Sequence, residues 1–261
     1  MSRQSGGYGG QTSYDGQTSS QPPPSSSSRV SEAFNSVPIV TCSIILLNVF
    51  IHIFNFLFTV DIGDYTIQAR IVLENSEYYR ILTSAFIHGG IFHIGMNMMS
   101  LYQLGGHVER TFGSMQFLFV TIWSIILCGL LYCYLSWFLT YLTNDISWYL
   151  SNAVGYSGVL FAYAMIYSYH ASSPTQSIMG MVDVPSKLYP WILLFLIQVL
   201  LPNISMIGHL SGVIIGFCIV AGVLHYIVLP SDGMYCMMEF ICIFKRVNIL
   251  CVIYIYLSTF V

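Results

Sequence analysis

Charged residues are sparse along this chain and leave long apolar intervals between them. No Asp, Glu, Lys or Arg occurs between Glu32 and Asp61, Arg80 and Glu109, Arg110 and Asp145, Asp145 and Asp183, or Lys187 and Asp232. A helix that crosses a bilayer needs roughly 20 apolar residues. Each interval accommodates one such helix, and the last accommodates two. The pattern therefore predicts six spans, over residues 39–60, 93–112, 117–139, 153–169, 188–201 and 205–229. Pro202-Asn203 separates the fifth from the sixth, because proline and the residue before it disfavour continuous helix. Residues 61–92 are a mixture of polar and apolar side chains. They predict short helices lying at the membrane interface rather than a simple turn. Residues 144–152 read as a loop, and residues 171–187 as a polar connector containing Pro174 and Pro185.

The ends of the chain differ from this core. Residues 1–36 are mostly Ser, Gln, Gly and Pro. Such a segment buries too little apolar surface to offset the entropy of ordering it, and a disordered tail is expected. It lacks the apolar core of a signal peptide. Residues 231–261 are apolar but are divided by Lys245-Arg246, and read either as a seventh transmembrane helix or as an interfacial one. The expected organisation is a tail (1–36), a six-helix core (37–230) and a C-terminal apolar segment (231–261).

Composition agrees with the pattern. The chain has 261 residues, of which 56% are hydrophobic and 7% charged, against about 25% charged in soluble domains. The fold class expected is all-α, a polytopic membrane protein in contact with the lipid bilayer. A net charge of -3 gives no electrostatic footprint for nucleic acid. Cys42, Cys128, Cys133, Cys218, Cys236, Cys242 and Cys251 form no CxxC pair, and read as small hydrophobes rather than disulfides or metal ligands. There is no HExxH, so zinc proteolysis has no support, and no metal or cofactor is expected. The basic residues set the orientation. With the N-terminus cytosolic, Arg3, Arg29, Arg110, Lys187, Lys245 and Arg246 fall on the cytosolic side, with only Arg70 and Arg80 opposite.

Two glycine-flanked motifs each place one reactive side chain inside a predicted span. Gly155-Tyr156-Ser157-Gly158 lies near the start of the fourth, and Gly208-His209-Leu210-Ser211-Gly212 near the start of the sixth. A serine hydroxyl is a weak nucleophile until a base takes its proton, and histidine is the usual base near neutral pH. In the orientation above, the second, fourth and sixth spans all begin on the non-cytosolic side. His93, Ser157 and His209 are each within about a turn of those starts, so they share one layer on the order of 5–8 Å deep. Gly155 and Gly158 flank the serine, and Gly212 and Gly216 lie four apart on the sixth span. Small residues at that spacing let helices approach closely in lipid. The competing reading is a helix-packing face with an incidental serine and histidine; the matching depth of the two favours catalysis. The pattern points to Ser157 as nucleophile and His209 as general base and acid. His93 and Asn97 share a helix face. With the backbone N–H of Ser157 they form a candidate set of donors for the oxyanion of acyl transfer. No carboxylate lies within the spans near His209, so a two-residue centre is expected rather than a triad. His52, His170 and His225 read as structural, and His88 and His107 carry no assigned role.

These residues resemble the rhomboid family of intramembrane serine proteases. The resemblance covers residues 79–228. It rests on Tyr79-Arg80 with the following Ile81 to His88, on His93-x-x-x-Asn97, and on Gly105-Gly106-His107-Val108-Glu109-Arg110-Thr111-Phe112-Gly113-Ser114. Gly155-Tyr156-Ser157-Gly158 and His209-x-x-Gly212-x-x-x-Gly216 complete it. It implies a Ser157–His209 dyad in a hydrated cavity open to the non-cytosolic side, and structural parts for Arg80, Glu109 and Arg110. The implied partners are transmembrane protein substrates, cut where their helix unwinds. The sequence around Ser157 and Val184-Pro185 is most similar to the endoplasmic-reticulum branch of eukaryotic members, which implies a secretory-pathway membrane. Tyr79 stands where many members have Trp. Tyr156 is bulkier than the residue usually found before the serine, and is expected to narrow the pocket. Two other functions compete with proteolysis. A rhomboid-like pseudoprotease binds membrane helices without cutting, but such relatives lack the serine or the histidine. A transporter or channel needs ionisable groups along a path, whereas here they stop in one layer.

Overall fold

The computed structural model describes residues 37–178, 180 and 182–224. The expected tail over 1–36, the C-terminal segment over 231–261 and the end of the sixth span lie outside the described residues. Helix α1 is Ile39–Leu57, and its apolar side chains are largely exposed, as suits a helix facing lipid. The segment expected to carry short helices does so. A 3-10 turn at Ile62–Tyr65 leads to strand β1 (Ile67–Gln68), helix α2 (Ala69–Glu74) and helix α3 (Arg80–Phe86). Arg80 is buried and ties this segment together: it donates through Nη1 to the carbonyls of Gly63 and Thr66, and through Nε to Glu77 at 2.7 Å.

The second span is one continuous rod in three parts. Helix α4 (Ile91–Ser100) passes through a π turn at Leu101–Gly105 into α5 (Gly106–Phe112). A Cβ on Gly105 would lie 2.7 Å from Leu101 Cδ1 and 3.5 Å from Thr41 Oγ1, so α1 approaches the rod where a side chain is missing. One turn further, the carboxylate of Glu109 meets the N-terminus of α1. It accepts from the backbone N–H of Val40 and Thr41, from Thr41 Oγ1 and from Ser114 Oγ. The first N–H groups of a helix have no partner within it and carry partial positive charge. A buried carboxylate from another element satisfies both conditions at once.

Helix α6 (Ser114–Thr143) is the longest and, with α1, is long and apolar enough to cross a membrane. It ends at Asn144 in the left-handed conformation. The predicted loop beyond it contains helix α7 (Ser147–Leu150) and strand β2 (Asn152–Ala153). Strand β2 pairs antiparallel with β1 in the register Ile67 to Ala153 and Gln68 to Asn152. The fourth span begins later than the hydropathy pattern predicts. Helix α8 is Ser157–His170, because Asn152 and Ala153 pair with β1 and Gly155 takes φ +108°, which a helix cannot include. Every residue of α8 from Val159 to Ile166 is buried, so this helix is the axis of the bundle. Its 14 residues reach about 21 Å at 1.5 Å per residue, less than the roughly 30 Å of hydrocarbon.

The connector after α8 differs from the polar loop expected of residues 171–187. It folds as a hairpin of β3 (Thr175–Ile178) and β4 (Val182–Pro185), with Ile178 and Val184 turned inward. Helix α9 (Tyr189–Leu200) ends just before Pro202-Asn203, and α10 (Met206–Val220) begins beyond it, as the proline predicts. The Ser205 hydroxyl caps α10 by accepting from the N–H of Gly208. Helices α8 and α10 pack backbone to backbone. A Cβ on Gly212 would strike the carbonyl oxygen of Gly158, and one on Gly216 would lie 2.7 Å from that of Ala162.

Candidate active site

The approach of α8 and α10 sets the geometry of the expected pair. Gly158 faces the carbonyl of Gly208, with 3.2 Å between that oxygen and the position of a Cβ. Ser157 precedes Gly158, and His209 follows Gly208. Their side chains meet, with His209 Nε2 2.9 Å from Ser157 Oγ. The imidazole lies over the ring of Phe161, with centroids 4.7 Å apart and planes inclined by 33°. Phe161 follows Ser157 by one helical turn, so it reaches the same face of α8. That spacing was the available signal, although sequence reasoning gave Phe161 no part. His209 Nδ1 is buried and has no hydrogen-bond partner among the described residues. Among the described residues no carboxylate orients the ring from behind, and its position rests on Phe161 and on the bond to Ser157.

Ser157 is the first residue of α8, not a residue one turn inside it. Its backbone N–H is therefore one of the four that the helix leaves unused. Two constraints hold the turn before it. Gly155 N–H donates to the carbonyl of Ser84 at 2.9 Å, and Gly155 takes φ +108°, a conformation that disfavours any residue with a Cβ. The missing side chain also makes room. A Cβ there would lie 2.7 Å from His93 Nε2, so the His93 ring packs directly against the pre-serine turn. Gly89 N–H donates to His93 Nδ1 at 3.4 Å. His88, also without an assigned role, is buried edge-on to His93 with centroids 5.2 Å apart.

Asn97 lies one turn below His93, and its amide Nδ2 donates to the His93 carbonyl at 2.8 Å. A primary amide has two hydrogens, so one is used by the helix and one is left for a ligand. His93, Ser157 and His209 line two adjoining cavities. The larger, of about 230 Å³, also includes Ser84, Asn152, Asn203 and Ser205, and runs to an apolar end at Ile125, Cys128 and Gly129. The smaller, of about 110 Å³, is lined by Asn97, Met96, Leu160, Leu193 and Ile197, between α4, α8, α9 and α10. Tyr156 lines neither. It is fully buried on the other side of the turn, so the expectation that it narrows the pocket is corrected. Its ring packs in the core against Phe86 and Tyr163 instead. Of the residues implied to be structural, Arg80 and Glu109 are buried in the contacts described above, and Arg110 is exposed. Among the described residues no group of three or more His, Cys, Asp or Glu is placed to hold a metal ion.

The structure is a helical bundle whose central helix carries a serine in hydrogen-bond contact with a histidine where two cavities adjoin, in a polytopic membrane protein. Comparison with known proteins gives the family. Residues 75–226 match the Rhomboid domain, close to the 79–228 expected from the motifs. The chain belongs to the rhomboid family, a family of membrane proteins. It is 30% identical over 216 residues to Rhomboid-like protein 15 of Arabidopsis thaliana, covering 81% of this chain and 53% of that protein. It is 30% identical over 162 residues to Rhomboid-related protein 4 of Mus musculus, covering 62% and 51%. Rhomboid-type serine protease 2 of Yarrowia lipolytica is 29% identical over 163 residues, covering 61% and 52%. The chain spans about half the length of these curated relatives.

Proposed function

We propose that this protein is an intramembrane serine endopeptidase that cleaves transmembrane segments of other membrane proteins. The observation that carries the reading is the 2.9 Å contact between His209 Nε2 and Ser157 Oγ at the junction of two cavities. In the reaction, His209 takes the Ser157 proton as the oxygen attacks a peptide carbonyl. The carbonyl oxygen becomes an oxyanion facing the free N–H of Ser157, with His93 and Asn97 as side-chain donors. The C–N bond then breaks, and His209 returns the proton to the leaving amine. Water, activated by the same imidazole, hydrolyses the ester and frees the carboxylate and Ser157. The larger cavity, with Ser84, Asn152, Asn203 and Ser205 on its wall, has room for several water molecules. The smaller cavity, walled by Leu160, Leu193 and Ile197, suits an apolar segment arriving from lipid. Gly158, Gly212 and Gly216 keep the backbones close enough for the dyad, Gly155 makes room for His93 beside it, and residues 37–230 are the proposed catalytic core.

The N-terminus is proposed to be cytosolic and the site to open toward the other side, in a membrane of the secretory pathway. An N-glycosylation acceptor engineered at Asp145 and modified in cells supports this orientation, and an unmodified one reverses it. Activity is tested by co-expression with type I membrane proteins. Ser157→Ala and His209→Ala should each reduce cleavage by at least about a thousandfold while expression is unchanged. Cleavage that persists in Ser157→Ala overturns the assignment. A fluorophosphonate probe separates a protease from a helix-binding pseudoprotease: labelling lost in Ser157→Ala supports the first, and an unlabelled wild type the second.

A further inference from the structure

The Tyr156 hydroxyl belongs to a chain of buried hydroxyls that leads away from the site. Tyr156 Oη lies 3.2 Å from Tyr163 Oη. Tyr163 Oη in turn meets Thr121 Oγ1, and Thr121 Oγ1 donates to the carbonyl of Phe117 at 2.8 Å. All three side chains are buried, and the links cross from the pre-serine turn through α8 to α6. Each hydroxyl has one hydrogen. With the Thr121 hydrogen on Phe117, Tyr163 must donate to Thr121, and Tyr156 must donate to Tyr163. The chain has one direction and ends on a helix backbone that does not move.

The far end of this chain fixes a single peptide. The planar unit joining Tyr156 to Ser157 carries the Tyr156 carbonyl on one side and the Ser157 N–H on the other. The carbonyl accepts from Leu160 N–H at 3.1 Å and so points along α8. The Ser157 N–H therefore points out of the helix start. Gly155, immediately before, has φ +108° and no side chain of its own to hold the turn. Tyr156 supplies the hold, through its ring against Phe86 and its hydroxyl on Tyr163.

We propose that Tyr156 is a positioning residue: its hydroxyl, anchored through Tyr163 and Thr121 to α6, fixes the peptide plane whose N–H receives the oxyanion at Ser157. The inference rests on the hydrolase reading above and adds to it a residue that touches neither substrate nor cavity. It also gives the bulky residue before the serine a purpose that pocket shape does not.

The test uses the purified full-length protein and a fluorophosphonate. Ser157 Oγ attacks phosphorus, fluoride leaves, the serine proton passes to His209, and the phosphoryl oxygen occupies the oxyanion position. Labelling is followed at several probe concentrations to separate the maximal rate from the half-saturating concentration. Removing an oxyanion donor outright costs about a hundredfold or more. A donor left in place but released should lose less, so Tyr156→Phe should lower the maximal rate by about tenfold. The half-saturating concentration and the thermal midpoint should stay near wild type. Tyr163→Phe should do the same, and the double variant should be no slower than either single, because both cut one chain. Wild-type rates in Tyr156→Phe overturn the proposal. So does a fall in rate that tracks a fall in thermal midpoint or in the fraction of protein that can be labelled, which marks a merely structural tyrosine. A wild-type protein that takes no label overturns the hydrolase reading, and this proposal with it.

Discussion

Phe161 supports an imidazole that meets no carboxylate among the described residues. A tilted ring contact at 4.7 Å supports one side of His209, and the bond to Ser157 fixes its rotation. Replacing Phe161 by Ala removes one of the two restraints and opens space beside the base. The expected result is a loss of about tenfold to a hundredfold in kcat, the scale of a base displaced by about an ångström. KM should change far less, since Phe161 packs on His209, the proposed base. Leu at this position fills the space without a flat face and should fall between. The check is steady-state cleavage by purified variants; a Phe161→Ala enzyme with wild-type kcat removes the ring-contact argument. At this scale the sequence was readable where side-chain chemistry is rare in lipid. Ser157, His209, His93 and Asn97 all stand out as polar groups in apolar runs. Phe161 and Tyr156 do not, because an aromatic in a membrane helix looks the same whether it faces lipid, a ring or a hydroxyl.

Helix boundaries were less legible than helices. The pattern predicts a fourth span over 153–169, and the observed α8 starts at Ser157. Ala153 is apolar enough for the helix but is taken by the pairing of β2 with β1, a partner 86 residues earlier that no local pattern shows. The hairpin of β3 and β4 is hidden in the same way, since four residues of alternation are too few to stand out from a polar connector. The glycines of α10, in contrast, carried real information. A Cβ on Gly212 would strike the Gly158 carbonyl and the Phe161 Cβ, and neither can yield without moving a helix. Gly212→Ala should therefore lower the thermal midpoint markedly, on the scale of about 2–4 kcal/mol for a core clash, and should abolish activity by parting Ser157 from His209. Gly95 on α4 is the control, because nothing lies within 4 Å of a Cβ there. Gly95→Ala should leave activity unchanged and gain roughly 0.5–1 kcal/mol from helix propensity. Equal effects from the two substitutions, measured by thermal unfolding in one detergent, would contradict the backbone contact.

For the molecule as a whole, the first helix depends on a single carboxylate. Helix α1 buries few of its side chains, yet four donors at its start and on Ser114 converge on Glu109. Hydrogen bonds to a charged group contribute about 1.5–3 kcal/mol each, so Glu109→Ala should cost several times more than its contact area suggests, on the order of 3–5 kcal/mol. Limited proteolysis near residues 58–61 should detect the released helix, and an unchanged cleavage pattern would count against this attachment. The fold class and the order of helices were evident from charge spacing alone, since lipid forbids most other arrangements. How the helices touch was not, because an apolar run records that a face is dry without recording against what.

The carbonyl-to-glycine seam between α8 and α10 has one further consequence. With Gly212 against Gly158 and Gly216 against Ala162, these two helices have no slack between them and must travel as one rigid piece. Helix α9 is bound differently: it buries only Pro190 and Leu194, and hangs between a 3-10 turn and the Pro202-Asn203 break. Any widening of the smaller cavity, which Leu193 and Ile197 of α9 line, therefore falls to α9, while the seam between α8 and α10 keeps Ser157 and His209 at their spacing.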